Sequence, residues 1–290
     1  MGRYTRILSA YDGSESGRNA LRQAIRLAKA EGALLGVLSV VPSYEGNIEF
    51  IGVKDIEAVL RGPIEKLKAE VSDILSAENA SAEIFIEQGK AYERIVEKAE
   101  AGAYDLIVMG RRGMHRAARM LIGSATSRVI GHTDKDVLVV PREAHIEWKH
   151  IVLAVDDSEC SLAAVQRAIS FAKSYNGDIT AVSGVDLADE FYAQVPEAVN
   201  QMMGKAELSL DETRRMTEKE GISIEVIVKE GKAYEAVLEV AEKKDGDVIF
   251  MGSHGRTGLK KLIMGSVTEK VIGYAGCPVM VVKRRGPQSP

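Results

Sequence analysis

The sequence predicts an α/β protein that consists of two tandem, doubly wound, Rossmann-like domains, each with a five-stranded parallel sheet. The first observation is that short, continuously apolar runs alternate with segments of helical periodicity, which is typical of parallel strands covered by helices on both faces. The second is that this whole order occurs twice. Residues 109–130 read MGRRGMHRAARMLIGSATSRVI, and residues 251–272 read MGSHGRTGLKKLIMGSVTEKVI.

The elements of the two halves correspond in order. Each half opens with an apolar strand that ends at Asp12 or Asp156, and an amphipathic helix follows whose end we expect at Gly32 or Gly177. In the first half the remaining strands are predicted at 34–41, 82–87, 106–108 and 137–140, and in the second at 179–185, 223–228, 248–250 and 279–282. The second helices are predicted at 54–78, with a bend or break at Gly62-Pro63, and at 197–220. These elements predict domains at 1–143 and 149–290, joined around Trp148.

Length and composition restrict the class of protein. A chain of 290 residues is long enough for two domains with separate cores. The net charge of −4 and the absence of a long basic block argue against a nucleic-acid partner. Two cysteines give no disulfide framework. No apolar run approaches the roughly 20 residues of a membrane span, and the N-terminus lacks the apolar region of a signal peptide, so we expect a cytoplasmic protein with no membrane partner.

Four positions recur at the same spacing after the fourth strand of each half. They are Gly110, Gly113, Gly123 and Ser124 in the first half, and Gly252, Gly255, Gly265 and Ser266 in the second. A backbone without Cβ atoms between a strand and a helix N-terminus suits an anion such as phosphate. Two other interpretations stay open: the glycines form tight turns, and the serines and the two aspartates cap helices.

Each half resembles a domain of the universal stress protein family, and the whole chain is similar to a tandem member of its ATP-binding branch. That branch carries G-x2-G-x9-G-[ST] after the fourth strand and an aspartate after the first, and both halves match this pattern in full. The resemblance implies bound ATP, ADP or AMP, with Mg²⁺ held only through the nucleotide phosphates and not by side chains.

The resemblance also implies the site residues. In the second half, Asp156 and the backbone at Val185 would hold adenine, and Gly252, His254 and Gly255, after Met251, would lie along the ribose and phosphates. The β- and γ-phosphates would lie at Gly265, Ser266, Val267 and Thr268. The first half offers Asp12, Val40, Met109, Gly110, Gly113, Gly123, Ser124, Ala125 and Thr126.

The halves depart from each other at the glycines. Arg111 and Arg112 stand where the second half has Ser253 and His254, and they either strengthen phosphate binding or cover the site. Asp157 stands where the first half has Gly13, which adds a negative charge near the second site. We expect both sites to bind, with the second half closer to the family pattern.

The sequence favours binding over turnover. It has no phosphate-loop lysine, no HxxxH metal pair and no Ser-His-Asp constellation, so we assign no catalytic residue. We therefore expect a nucleotide-binding regulatory protein of the stress response that changes an unidentified partner's surface. The alternatives are a slow ATPase or nucleotide hydrolase, and a scaffold or small-lipid-binding module that has lost one site. Single-domain members of the family that the chain resembles commonly dimerise through the fifth strand. The resemblance therefore implies that strands 137–140 and 279–282 pair, which would make the chain an internal pseudo-dimer, and a homodimer of chains is a further option.

Overall fold

The computed structural model describes residues 3–43, 56–112, 122–185, 196–255 and 264–284. The strands of the first half are β1 (Arg6–Ala10), β2 (Leu34–Val41), β3 (Glu83–Gln88), β4 (Leu106–Gly110) and β5 (Asp136–Val140). Those of the second half are β6 (His150–Ala154), β7 (Asp178–Val185), β8 (Ile224–Glu230), β9 (Val248–Gly252) and β10 (Val279–Val282). The helices are α1 (Glu15–Glu31), α2 (Ile56–Ala77), α3 (Ala91–Ala101), α4 (Ser124–His132), α5 (Glu159–Tyr175), α6 (Pro196–Lys219), α7 (Ala233–Lys243) and α8 (Ser266–Tyr274).

All ten strands form one sheet in the order β3-β2-β1-β4-β5-β10-β9-β6-β7-β8. Pairing is parallel within each half and antiparallel only between β5 and β10, where Val139 lies opposite Val279 and Val137 opposite Val281. The predicted fold and the predicted pairing of the two fifth strands are therefore confirmed. Because the central pair is antiparallel, the carboxyl ends of the two sets of strands lie at opposite rims of the sheet.

Two layers of helices cover the sheet, as the apolar strands require. One apolar core lies under α1, α2, α5 and α6, and a second lies under α3, α4, α7 and α8. The first core runs without a break across the centre of the sheet, from Leu138 and Val140 to Met280 and Val282. None of the helices in the described ranges is long and apolar enough to cross a membrane.

Two local predictions differ from the structure. Helix α2 continues through Gly62-Pro63, which contradicts the break that the sequence offered beside a bend. At the end of α5 the left-handed C-cap is Asn176, with φ of 51°, whereas α1 does end at Gly32 with φ of 67°. Asparagine tolerates this conformation better than most side chains. Gly177 serves a different purpose, because a Cβ there would collide with the backbone carbonyl of Trp148.

Charged side chains are buried where the halves meet. The Asp136 carboxylate, only 2% exposed, accepts hydrogen bonds from the Tyr4 hydroxyl at 2.8 Å and from the Lys283 amide at 2.9 Å. The Arg167 guanidinium pairs with the same carboxylate at 3.0 Å. The Lys283 ammonium donates to the carbonyl of Ile130 in α4. Buried charges are tolerated when they are paired in this way, so the cluster fixes how the halves fit together.

An aromatic group between the halves lies on the α5 side of the sheet. Trp148, from the segment between β5 and β6, packs its ring 4.4 Å from that of Phe171 and 6.2 Å from that of Phe250. The Arg3 guanidinium of the first half lies 3.9 Å above the Phe171 ring and donates to the Ser170 carbonyl at 2.8 Å. The connecting segment is thus part of the core.

Candidate functional site

In each half the chain first adds strands on one side of the first strand and then crosses to add strands on its other side. The two neighbouring parallel strands at this switch point carry predicted site residues at their carboxyl ends. In the first half these strands are β1 and β4, with Asp12 just after β1 and Gly110 as the last residue of β4. In the second half they are β6 and β9, with Asp156 and Gly252 in the same places. The carboxyl ends of strands at such a switch point are where open α/β sheets bind ligands.

Gly110 and Gly252 are explained by packing between strand and helix. A Cβ on Gly110 would lie 2.8 Å from the amide nitrogen of Gly17 in α1. A Cβ on Gly252 would lie 2.8 Å from both the carbonyl carbon and the Cβ of Cys160 in α5. These glycines let the first turns of α1 and α5 reach the strand ends, so their immediate effect is to bring helix and strand together.

The aspartates stabilise turns ahead of α1 and α5. The Asp12 carboxylate accepts from the Ser14 amide at 3.0 Å, and Asp156 accepts from the Ser158 amide at 3.0 Å. The helix N-caps are the serines: the Ser14 hydroxyl accepts from the Gly17 amide, and the Ser158 hydroxyl accepts from the Ser161 amide. The other oxygen of Asp156 lies 2.7 Å from where a Cβ on Gly255 would stand, so the carboxylate faces the glycine segment.

Helices α4 and α8 begin without a capping side chain among the described residues. Their N-caps are Gly123 and Gly265, with ψ of 140° and 143°, so Ser124 and Ser266 are the first helical residues and not the caps we considered. Thr126 and Thr268 are buried, and each hydroxyl donates to the carbonyl of Gly110 or Gly252 at 3.0 Å. The first amides of both helices are therefore left for another acceptor.

A cavity of about 370 Å³ opens at the N-terminus of α8. Val155, Val182, Val185, Val237 and Met251 contribute apolar walls, and Met202 of α6 closes one side. Gly252, His254, Gly255, Gly265, Ser266, Val267 and Thr268 form the side towards the helix terminus. All ten residues that the sequence predicts for this half, Asp156 among them, line the cavity. An apolar compartment thus adjoins a polar one.

The charges around the cavity are few. Asp156 and His254 are its only lining side chains with a titratable acid or imidazole group in the described part of the chain. His254 Nδ1 lies 3.0 Å from the Ser253 hydroxyl, and Ser253 is only 2% exposed. No cluster of three or more metal-ligating side chains occurs among the described residues. An anion at this place would depend on backbone amides and the partial positive charge of the helix terminus.

The first half differs at the two arginines. The Arg111 guanidinium reaches the second half and donates to the carbonyl of Ala275 at 2.6 Å. Burial, with a smaller contribution from the charge of Arg112, lowers the pKa of Arg111. Met109 is buried, Val40 is half-buried, Ser124 is exposed and Gly113 lies outside the described residues.

Comparison with known proteins agrees with the duplicated organisation of the chain. The sequence profile of the Universal stress protein family matches residues 3–141 and again residues 147–283. The chain belongs to the universal stress protein family. A universal stress protein of Mycolicibacterium smegmatis is 26% identical over 96% of this chain and 97% of its own length. Another, from Methanocaldococcus jannaschii, is 35% identical over 47% of this chain and 83% of its own length.

The tandem arrangement also has a counterpart of known structure. The crystal structure of a universal stress protein from Archaeoglobus fulgidus has a TM-score of 0.72 and covers 98% of this chain and 97% of its own. Its sequence identity of 23% makes it a comparison of fold alone. This universal stress protein therefore has the family's fold in both halves, arranged as one sheet.

Sequence reasoning missed part of the cavity. Val155 and Val182 follow or belong to buried strands, where an apolar residue is expected whether or not a ligand is present. Met202 comes from α6, in the part of the sequence where the halves are least alike, and nothing in its pattern separates it from the helix core. The family glycine pattern finds the polar compartment, whereas the apolar compartment is visible only in the structure.

Proposed function

We propose that this universal stress protein binds an adenine nucleotide and acts as a stress-response regulatory protein without dedicated catalysis. One observation carries the proposal: the cavity of about 370 Å³ joins an apolar compartment to a helix N-terminus that no side chain of the described residues caps. Pockets for small molecules typically have such volumes, with largely apolar walls and a few convergent polar groups.

The two compartments match the two parts of a nucleotide. The valine and methionine walls suit the flat base, and the carboxylate of Asp156, which lines the same cavity, would accept a hydrogen bond from the base or from the ribose. The first amides of α8 suit phosphate oxygens, since they have no side-chain cap among the described residues. ATP, ADP and AMP all carry these parts, and Mg²⁺ would be bound through the phosphates of ATP.

Binding without turnover is favoured by the position of Ser253. Its hydroxyl is paired with His254, yet the residue is only 2% exposed, so it is poorly placed to attack a ligand in the cavity. Bound nucleotide would instead order the glycine segment and α8, and thereby change the surface that a partner recognises. The first half would bind through the matching amides of α4.

Two matched substitutions test the proposal by calorimetric titration with ATP, ADP and AMP. Gly265→Asp and Gly123→Asp each place a carboxylate at a helix N-cap, where the backbone already has a conformation that any residue adopts. The carboxylate takes the amides and repels phosphate, so we expect each variant to lose at least about tenfold in affinity at its own site. Aspartate is a favourable N-cap, but a Cβ on Gly265 would lie 3.3 Å from the carbonyl oxygen of Ser253, so a urea titration of each variant accompanies the calorimetry and checks that it is folded.

Three results would contradict the proposal. The first is wild-type protein that carries no nucleotide after denaturation and chromatography and binds none by calorimetry, which would favour the scaffold. The second is unchanged nucleotide affinity in Gly265→Asp at the second site. The third is robust ATP turnover with Mg²⁺ that Gly265→Asp abolishes, which would make the protein an enzyme.

A further inference from the structure

Helix α8 extends from the second-half site to the first-half site. It begins at Ser266, beside the cavity, and its nine residues span roughly 13 Å at 1.5 Å per residue. Its C-cap is Ala275, shortly before β10 enters the sheet beside β5. Because β10 is antiparallel to β5, the end of α8 lies at the rim where the first half has its own site.

Arg111 connects that helix end to the first site. Its guanidinium donates to the Ala275 carbonyl at 2.6 Å. Its backbone belongs to the first site, because its carbonyl accepts from the amide of Gly123, the N-cap of α4, at 2.8 Å. One residue therefore contacts the start of the first-half helix and the end of the second-half helix.

The contact is electrostatically favourable for α8. The last carbonyls of a helix lack intrahelical donors, and a cation at this end complements the helix dipole. Helix α8 has no basic residue in its own last turn. Arg111 is half-buried, so its charge is less screened by water than that of a surface arginine, and arginine stays protonated in proteins.

The equivalent contact on the other helix is made by a different residue. The Lys283 ammonium of the second half donates to the Ile130 carbonyl in the last turn of α4. Position 253, which corresponds to Arg111 in the repeat, is a serine whose hydroxyl lies near His254. The link from the first site to α8 is therefore particular to Arg111.

We propose that Arg111 is a positioning residue for the second-half nucleotide site, and that it holds α8 from the first half. The proposal rests on the proposed function, since it concerns the affinity of that same site. Fixing the C-terminal end of α8 keeps its first amides in the orientation that receives phosphate. Because the backbone of Arg111 belongs to the first site, a change at that site would also change the position of α8.

The test measures ATP binding at the second site alone. In a Gly123→Asp background, which closes the first site, calorimetry compares Arg111 with Arg111→Met and Arg111→Lys. Methionine keeps the apolar stem and removes the charge, so we expect the Kd for ATP to rise about three- to tenfold, with partial recovery in Arg111→Lys. Exchange of the Ala275 amide, which donates to Val271 in the free protein, should become faster in Arg111→Met.

Lys283→Met provides the matched control. It removes a buried cation from the same region of the sheet, but the contact that is lost belongs to α4, so the second-site Kd should stay within about twofold of the parent. An equal rise in Kd in both variants would show general loosening and overturn the proposal. So would an unchanged Kd in Arg111→Met while the parent binds ATP. If the parent binds no nucleotide, the proposed function fails as well, whatever the exchange rates are.

Discussion

At the scale of single residues, the glycines of the repeated pattern divide into two kinds. Gly110 and Gly252 have helix atoms so close that a side chain does not fit, whereas Gly123 and Gly265 cap helices with ordinary backbone angles. The interpretation that all of them simply form turns is too coarse. The first pair joins helix to strand, and the second pair leaves amides available.

Gly252→Ala should therefore destabilise the protein through overpacking. The new Cβ would lie 2.8 Å from the Cβ and the carbonyl carbon of Cys160, which forces the first turn of α5 away from β9. We expect the free energy of unfolding to fall by about 1–3 kcal/mol in urea titrations.

Gly204→Ala is the matched control, because Gly204 lies inside α6 with no heavy atom within 4 Å of a new Cβ. Here helix propensity acts alone and should raise the free energy of unfolding by about 1 kcal/mol. Equal effects of the two alanines would show that the close approach at Gly252 is unimportant.

At the scale of elements, the first helix of each half depends on a serine cap. The contacts are the same in both halves: an aspartate orders the turn, and the serine two residues later caps the helix. In the second half Asp156 also faces the glycine segment, since one of its carboxylate oxygens lies 2.7 Å from where a Cβ on Gly255 would stand. Each helix thus positions a polar group of the candidate site as well as part of the core.

Ser158→Ala should remove the cap of α5. The Ser158 hydroxyl accepts from the Ser161 amide at 3.1 Å, and alanine leaves this amide without its acceptor. The expected loss in the free energy of unfolding is about 1 kcal/mol, measured by urea titration.

The comparison for this change is Ser174→Ala in the same helix. The Ser174 hydroxyl is exposed and donates to the Ser170 carbonyl. Loss of this hydrogen bond leaves no buried group without a partner, because water can replace the hydroxyl. Its effect should stay within about 0.5 kcal/mol. A Ser158→Ala variant as stable as this one would rule out the capping role.

The sequence predicts the order of the elements but not every contact between them. Strand and helix order follows from the repeat because apolar periodicity and duplicated order leave few other topologies. The pairing of β5 with β10 is instead what the family resemblance implies. The direction of the Arg111 side chain does not follow. The sequence shows that a long cation replaces Ser253, but only the antiparallel centre of the sheet reveals that Ala275 lies within its reach.

At the scale of the whole molecule, stability depends on charges buried between the halves. Lys283 is 7% exposed, and burial lowers its pKa to about 8. A folded-state pKa below the unfolded value means that folding disfavours the protonated ammonium. The protein is therefore most stable above the unfolded pKa of Lys283, and it loses stability as the pH falls towards the folded value. The pH window is therefore about 8 to 10.5.

Lys283→Met should remove this pH dependence. Between pH 7.5 and 9.5 the wild-type free energy of unfolding should rise relative to that of the variant by about 1–2 kcal/mol. Urea titrations of both proteins across this range measure the difference, and tyrosines with raised pKa cancel because both proteins contain them. Parallel curves would mean that the Lys283 ammonium titrates normally.

The buried cluster at Asp136 has a consequence for the individuality of the halves. The repeat places Pro278 where Asp136 stands in the first half, and Gln23 where Arg167 stands in the second. If two copies of the second half paired with each other through β10, each Arg167 would lie near Pro278 of the other copy. It would then have no carboxylate in the place of Asp136 to pair with. Two copies of the first half would bury Asp136 opposite glutamine. The two halves are thus not interchangeable, because the first supplies the buried carboxylate and the second supplies the guanidinium that pairs with it.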